Sequence, residues 1–126
     1  MKKILIVDDD EDLLQTLGKR LTSEGYSVIK ATNGADAIGL ALLQRPDIII
    51  LDVLMPEMEG EEVGAKLKGY FRTKNIPVIY LTGMFPKEEE ERFRLKTHGN
   101  IIFTKPLDSD KLLEQIKKLL CGDDTK

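Results

Sequence analysis

Five short apolar runs punctuate the chain: Ile4–Val7, Ser27–Ala31, Ile48–Leu51, Ile76–Leu81 and Ile101–Phe103. Most are rich in Ile and Val and do not alternate with polar residues. That is the pattern of strands covered on both faces, which belongs to parallel sheets. Between the runs the spacing turns helical. Leu13, Leu14, Leu17 and Leu21 make one stripe; Val63, Leu67, Tyr70 and Phe71 make another; Leu112, Leu113 and Ile116, with Leu119 or Leu120, make the last. Ala35–Leu43 is apolar nearly all round and predicts a helix without defining its face. Asn33-Gly34, Arg45-Pro46, Asn75 before Ile76-Pro77, and Gly122 supply the breaks. Strand and helix alternate throughout, which predicts an α/β domain with right-handed crossovers and helices on both faces of a parallel sheet. One predicted helix is unusual. Lys87–Lys96, KEEEERFRLK, offers only Phe93 and Leu95 to a core. Its Glu88–Arg92 and Glu90–Arg94 pairs are worth about 0.2–0.5 kcal/mol each. A solvated helical face accounts for it; a weakly anchored, movable element is the sharper reading.

The chain has 126 residues, a length that suits one domain. We assign that domain to residues 1–121 and a short polar tail to 122–126. Hydrophobic residues make up 41% and charged residues 33%, as in soluble globular proteins. The formal net charge of −3 gives no general attraction to nucleic acid or to an anionic membrane. A lone Cys121 cannot close an internal disulfide, which suits a reducing compartment. Met1-Lys2-Lys3 precedes only the short run Ile4–Val7, too brief for a signal-peptide core, and no run has the length of a membrane span. The expected setting is cytoplasmic.

Chemistry enters where the strands end. In open α/β sheets ligands bind outside the carboxyl ends of the strands. The first run enters Asp8-Asp9-Asp10, the third ends at Asp52, the fourth at Thr82-Gly83 and the fifth at Thr104-Lys105-Pro106. Parallel strands align their ends, so Asp8, Asp9, Asp52, Thr82 and Lys105 are expected at one edge. Two carboxylates about 5 Å apart repel by roughly 3 kcal/mol at an effective dielectric near 20. Either some are protonated or a cation sits among them, and carboxylate oxygens with room for water suit Mg²⁺. Plainer roles exist for each residue alone. Asp10, Glu11 and Asp12 suit the cap and first turn of the first helix. Lys105 alone reads as a surface lysine and Thr82 as a strand-end hydroxyl. Asp52, at the end of a buried run, is the hardest to explain without function.

These residues and their spacing resemble the receiver domain of bacterial two-component response regulators. The motifs ILIVDDD, IIILDVLMPEMEG, VIYLTG and FTKP stand in the family's order, and the resemblance runs from Lys3 to Leu120. It implies a flavodoxin-like doubly wound fold with a five-stranded sheet in the order 2-1-3-4-5. It implies that Asp52 is a phosphoacceptor, attacking a phosphoryl group to form an aspartyl phosphate. Asp9 would bind Mg²⁺ directly and Asp8 mainly through water, with Asp52 and the backbone carbonyl of Leu54 completing the protein ligands. Lys105 would supply an ammonium and Thr82 a hydroxyl to the phosphoryl oxygens. Gly83 leaves room beside the group, Pro56 and Gly60 shape the loop after the acceptor, and Lys105-Pro106 matches the family's cis-peptide site. The implied partners are a sensor histidine kinase or phosphotransfer protein and a downstream protein target. Homodimerisation on phosphorylation is compatible with this; direct binding to nucleic acid or membrane is not expected. The protein would be a signalling phosphoacceptor rather than an enzyme acting on other substrates.

The sequence also departs from the family. Ile102 stands where an aromatic usually turns inward as the threonine moves, so that rotamer switch cannot operate. Thr97-His98-Gly99-Asn100 differs from the usual small-residue pair before the fifth strand. Leu54 and Met84, which line the acceptor's water access, are both apolar, so a hydrolytic water finds no side-chain partner there. The expected switch path runs from Thr82 through Met84 and Phe85 into Lys87–Lys96. His98 reads as a surface residue. Other function classes fit less well. A phosphatase of the haloacid dehalogenase type needs a second aspartate two residues after the nucleophile, where Leu54 stands. A small-molecule binder lacks a Gly-rich phosphate loop after the first strand. A receiver-like adapter with phosphate-independent protein binding is the remaining alternative. No output domain follows, so output by protein contact is expected, unless the chain is a piece of a longer regulator.

Overall fold

The computed structural model describes residues 2–53, 60–82, 101–104 and 108–121. Its elements are β1 (Lys3–Val7), α1 (Glu11–Ser23), β2 (Ser27–Ala31), α2 (Gly34–Gln44), β3 (Ile48–Asp52), α3 (Gly60–Lys68), β4 (Val78–Thr82), β5 (Ile101–Thr104) and α4 (Ser109–Cys121). The strands form one sheet in the order β2-β1-β3-β4-β5, and every pairing is parallel. The expected Lys87–Lys96 helix, the Lys105-Pro106 peptide, His98 and the tail from Gly122 onward lie outside the described residues.

Burial explains the uninterrupted apolar runs. All five residues of β3 and all five of β4 are buried, because each strand has neighbours on both sides and helices above and below. One face packs Leu5, Ile49, Leu51 and Tyr80 against Ala37 and Ala41 of α2 and Val63 and Leu67 of α3. The other packs Ile4, Ile6, Ile48 and Ile50 against Leu14, Leu17 and Leu21 of α1 and Leu112, Leu113 and Ile116 of α4. β2 departs from this pattern: it is an edge strand, mostly half-buried, with Lys30 exposed. A cation on an open strand edge discourages pairing with another chain.

Local chemistry sets the helix ends. Asp10 caps α1, its carboxylate accepting from the amides of Asp12 at 3.0 Å and Leu13 at 3.2 Å. Asn33 caps α2 by accepting from the Asp36 amide at 2.8 Å, and Asp108 caps α4 through the amides of Asp110 and Lys111. Arg20 of α1 donates to Asp110 at 2.8 Å, tying the first helix to the last. At the amino edge of the sheet the Lys3 amide donates to the Asp47 carboxylate at 2.8 Å, and the Asp47 amide donates to the Lys3 carbonyl at 2.7 Å.

Two expectations are corrected. The fourth strand begins at Val78, not Ile76. Pro77 has no N–H for the ladder and contributes only its carbonyl, which accepts from Ile49 at 3.0 Å, while the Ile76 amide turns back to Thr73. The third helix ends at Lys68, so Tyr70 and Phe71 do not continue its buried stripe. Gly69 follows, and the buried Thr73 hydroxyl donates to the Leu67 carbonyl at 2.6 Å, occupying an acceptor the next helical turn would have used. Tyr70 and Phe71 are thereby left facing solvent.

Two glycines make opposite predictions. Gly64 in α3 lies against the buried Tyr80, and a Cβ there would collide with the phenol hydroxyl and sit 3.2 Å from Cζ. Gly64→Ala is therefore expected to destabilise by about 1–3 kcal/mol through overpacking, and to cost less in a Tyr80→Phe background. Gly18 in α1 faces the far end of Lys30, whose Cε lies 2.8 Å from the place a methyl would take. That flexible side chain can move aside. Gly18→Ala should be neutral or stabilising, since alanine is the better helix former. Urea unfolding of the two alanine variants, with Tyr80→Phe alone and combined with Gly64→Ala, checks this; equal costs at the two glycines would refute the packing argument.

Candidate functional site

The sheet register builds the site. Val7 pairs with Leu51 across β1 and β3, so Asp8 and Asp52 follow side by side at the carboxyl edge. Asp52 pairs with Leu81 of β4, which makes Thr82 the next residue along the neighbouring strand. Asp8 is still held by the sheet, its amide donating to the Ala31 carbonyl at 3.1 Å. Its carboxylate accepts from the Asp10 amide at 3.0 Å. One turn thus serves two ends: Asp10 caps α1 while its amide orients Asp8. Sequence reasoning misses that second bond, although an aspartate two residues before another amide is an Asx-turn signal.

Asp8, Asp9 and Asp52 each bring a carboxylate oxygen to within 4.8 Å of the others. Asp8 is 0% exposed and Asp52 4%, while Asp9 faces solvent. At 4.8 Å a pair of carboxylate charges repels by about 3 kcal/mol with an effective dielectric near 20. Water screens Asp9 more than the other two. The donor set is all oxygen, anionic and open on one side, which fits Mg²⁺. Beside it, Thr82 is 2% exposed and its hydroxyl has no hydrogen-bond partner among the described residues. Leaving a buried hydroxyl unpaired costs roughly 1–3 kcal/mol. A donor held unsatisfied next to a charged carboxylate site is suited to an oxygen that arrives with a ligand.

Of the residues expected here, the structure brings together Asp8, Asp9 and Asp52, with Thr82 on the adjoining strand. Leu54, Met84, Phe85 and Lys105 lie outside the described residues, as do Pro56 and Gly83. Ile102 falls in β5, opposite Tyr80 in register, with its backbone alone described. Among the described residues no helix is long and apolar enough to cross a membrane.

The sequence matches the family described as the response regulator receiver domain over residues 4–117. It is 34% identical over 122 residues to protein PilH of Pseudomonas aeruginosa, covering 97% of this chain and 100% of that one. It is 34% identical over 119 residues to the polar-differentiation response regulator DivK of Brucella anthropi, covering 94% of this chain and 96% of the relative. The fold superposes with a TM-score of 0.89 on the signal receiver domain of a signal transduction histidine kinase from Syntrophus aciditrophicus. That match has 36% sequence identity and covers 100% of this chain and 95% of the other.

The crowded carboxylates make a stability prediction. Asp8→Asn removes one buried charge yet keeps an oxygen that can accept from Asp10. In EDTA it should melt at a higher temperature than wild type, because repulsion is relieved. Millimolar Mg²⁺ should raise the wild-type melting temperature more than that of the variant, since only metal bound to the folded state stabilises it. A variant less stable than wild type in EDTA, or an equal Mg²⁺ response, would contradict the repulsion argument.

Proposed function

The chain belongs to the response regulator receiver domain family, and from that premise we propose that Asp52 is its phosphoacceptor. The donor is a phosphohistidine on a sensor histidine kinase or phosphotransfer protein. A single juxtaposition carries the reading: buried Asp52, grouped with Asp8 and Asp9, next to the Thr82 hydroxyl, which has no partner among the described residues. A carboxylate oxygen of Asp52 forms a bond to phosphorus as the phosphorus–nitrogen bond to the donor imidazole breaks. The imidazole leaves with that electron pair and takes up a proton. The Thr82 hydroxyl donates to a phosphoryl oxygen. Lys105 supplies an ammonium to the same group. Asp9, Asp52 and the Leu54 carbonyl would hold Mg²⁺ directly and Asp8 mainly through water, and the ion would supply positive charge to neutralise the phosphoryl oxygens against the anionic nucleophile. The Asp10 amide keeps Asp8 turned toward the site. The receiver unit comprises residues 1–121, with 122–126 a polar tail, and works in the cytoplasm. Output passes to a protein target by contact, and phosphorylation-linked homodimerisation is one form that contact can take.

Acetyl phosphate with Mg²⁺ should add one phosphate to the wild-type protein, read by intact mass. Asp52→Asn should take up none, nor should wild type in EDTA. An adduct in either control removes Asp52 or the metal from the proposal, and no adduct on wild type leaves a receiver-like adapter that binds its partner without phosphate.

Lifetime and signal path follow from the departures at Leu54, Met84 and Ile102. Hydrolysis needs a water held in line with phosphorus, and positioning supplies most of the acceleration. Leu54 and Met84 offer that water no hydrogen bond, so self-dephosphorylation is slow. The double variant Leu54→Asn/Met84→Glu should lose phosphate several-fold faster than wild type. Without an aromatic at Ile102, the change passes from Thr82 through Met84 and Phe85 into residues 87–96. Hydrogen exchange should then change most at 84–97 on phosphorylation. Equal decay rates would defeat the water argument, and a response confined to β5 and α4 would defeat the path.

A further inference from the structure

Two aromatic residues just past the third helix and a leucine near the end of the second are left out of the core. Phe71 is 85% exposed, Leu43 76% and Tyr70 44%. Arg72 ties the segment that carries the two aromatics to the end of α2, donating to the Leu42 carbonyl at 3.1 Å. The segment that presents them is tied down. The Tyr70 carbonyl accepts from the amides of Thr73 at 3.2 Å and Lys74 at 2.9 Å, and the buried Thr73 hydroxyl is bonded to Leu67. Phe71 touches a cation instead of a core, with Lys74 Nζ 4.9 Å from its ring centroid. Scattered exposed apolar residues need no explanation, but two adjacent aromatics held out of the core by a fixed turn do.

The segments that carry these residues hold cations and no anions. No Asp or Glu occurs from Val63 through Lys87, nor between Asp36 and Asp47, while Arg45, Lys66, Lys68, Arg72 and Lys74 are all exposed. This basic island sits on a chain whose formal net charge is −3. We propose that Leu43, Tyr70 and Phe71, rimmed by these cations, form a docking surface for an acidic segment of a partner protein that carries apolar side chains between its Asp and Glu residues. Charge complementarity selects the occupant. A second copy docking through the same patch would set five cations against five, and aromatic residues with Arg are the types enriched in protein interfaces. α2 and α3 run back from the carboxyl edge of the sheet, so their ends lie at the amino edge, away from Asp8 and Asp52. Docking here is therefore independent of the Asp52 chemistry and leaves that site open.

The probe is a random peptide library displayed on phage and selected on the full chain. Selection should enrich sequences in which Asp or Glu alternate with Leu, Phe or Trp. A selected peptide should bind at least roughly tenfold more weakly, about 1.4 kcal/mol, to Phe71→Ser and to Lys68→Glu/Lys74→Glu. Its binding to Asp52→Asn should be unchanged, and added salt should weaken it. Both surface variants should unfold at the wild-type urea midpoint. Enrichment of neutral or basic peptides, or no enrichment, overturns the proposal, as does binding that survives both variants. Phe71-dependent sedimentation with phosphatidylserine vesicles would identify the patch as a membrane surface instead, and Phe71-dependent dimerisation would identify a self-contact; each overturns the acidic partner.

Discussion

The constraint on which the site depends is the register between β1 and β3. Ile4 to Val7 pair with Ile48 to Leu51, and every one of these side chains is buried. They divide between two cores, Leu5, Val7, Ile49 and Leu51 on one face and Ile4, Ile6, Ile48 and Ile50 on the other. Sliding either strand by one residue would exchange those faces and disrupt both cores. The apolar packing therefore places Asp8 next to Asp52 at the first rung beyond the hydrophobic runs, whatever the electrostatic cost. The attraction between greasy side chains, summed over two strands, holds together carboxylates that would otherwise separate.

That cost is confined to a small region. Asp8 is buried with a backbone amide bonded to it, Asp9 turns to water, and Thr82 keeps a hydroxyl without a partner among the described residues. The crowding of Asp8 with Asp52 and the buried Thr82 hydroxyl are local costs, which the Asp10 amide on Asp8 and the exposure of Asp9 lessen. Unfavourable terms of this kind gather at functional sites because surrounding packing over-determines the geometry.

The opposite end of the domain shows how packing limits a helix. α3 approaches the sheet closely because Gly64 makes room for the Tyr80 ring, and it stops at Lys68 with Thr73 bonded to its last turn. The close approach and the early stop have a joint consequence. The chain beyond Lys68 turns outward with two aromatics left in water, as Leu43 is near the end of the neighbouring helix.

Much of this was legible in the order of residues. Uninterrupted Ile and Val runs indicated strands covered on both faces, since only a central parallel strand buries successive residues. Asp10 announced a helix cap through a side chain that satisfies free amides, whereas Asn33-Gly34 announced only a break. Asp52 stood out because a carboxylate ending a buried run has no cheap structural role. The Val63–Phe71 stripe misled, because periodicity records spacing and carries no information on whether a turn ends at Gly69 or whether Thr73 bonds back to Leu67. Likewise, no pattern in the sequence reveals that Tyr80 needs the space at Gly64, that Asp10 orients Asp8, or that the Thr82 hydroxyl has no partner among the described residues. Those facts are relations between side chains brought together by folding. By itself the sequence determined the order of the described strands and helices, the cap at Asp10 and the identity of the charged residues at the strand ends, all of which depend on neighbours a few positions away. Only the tertiary structure decided which carboxylates meet, where the third helix stops and which apolar residues stay in water, because those outcomes depend on the register and packing of separate segments.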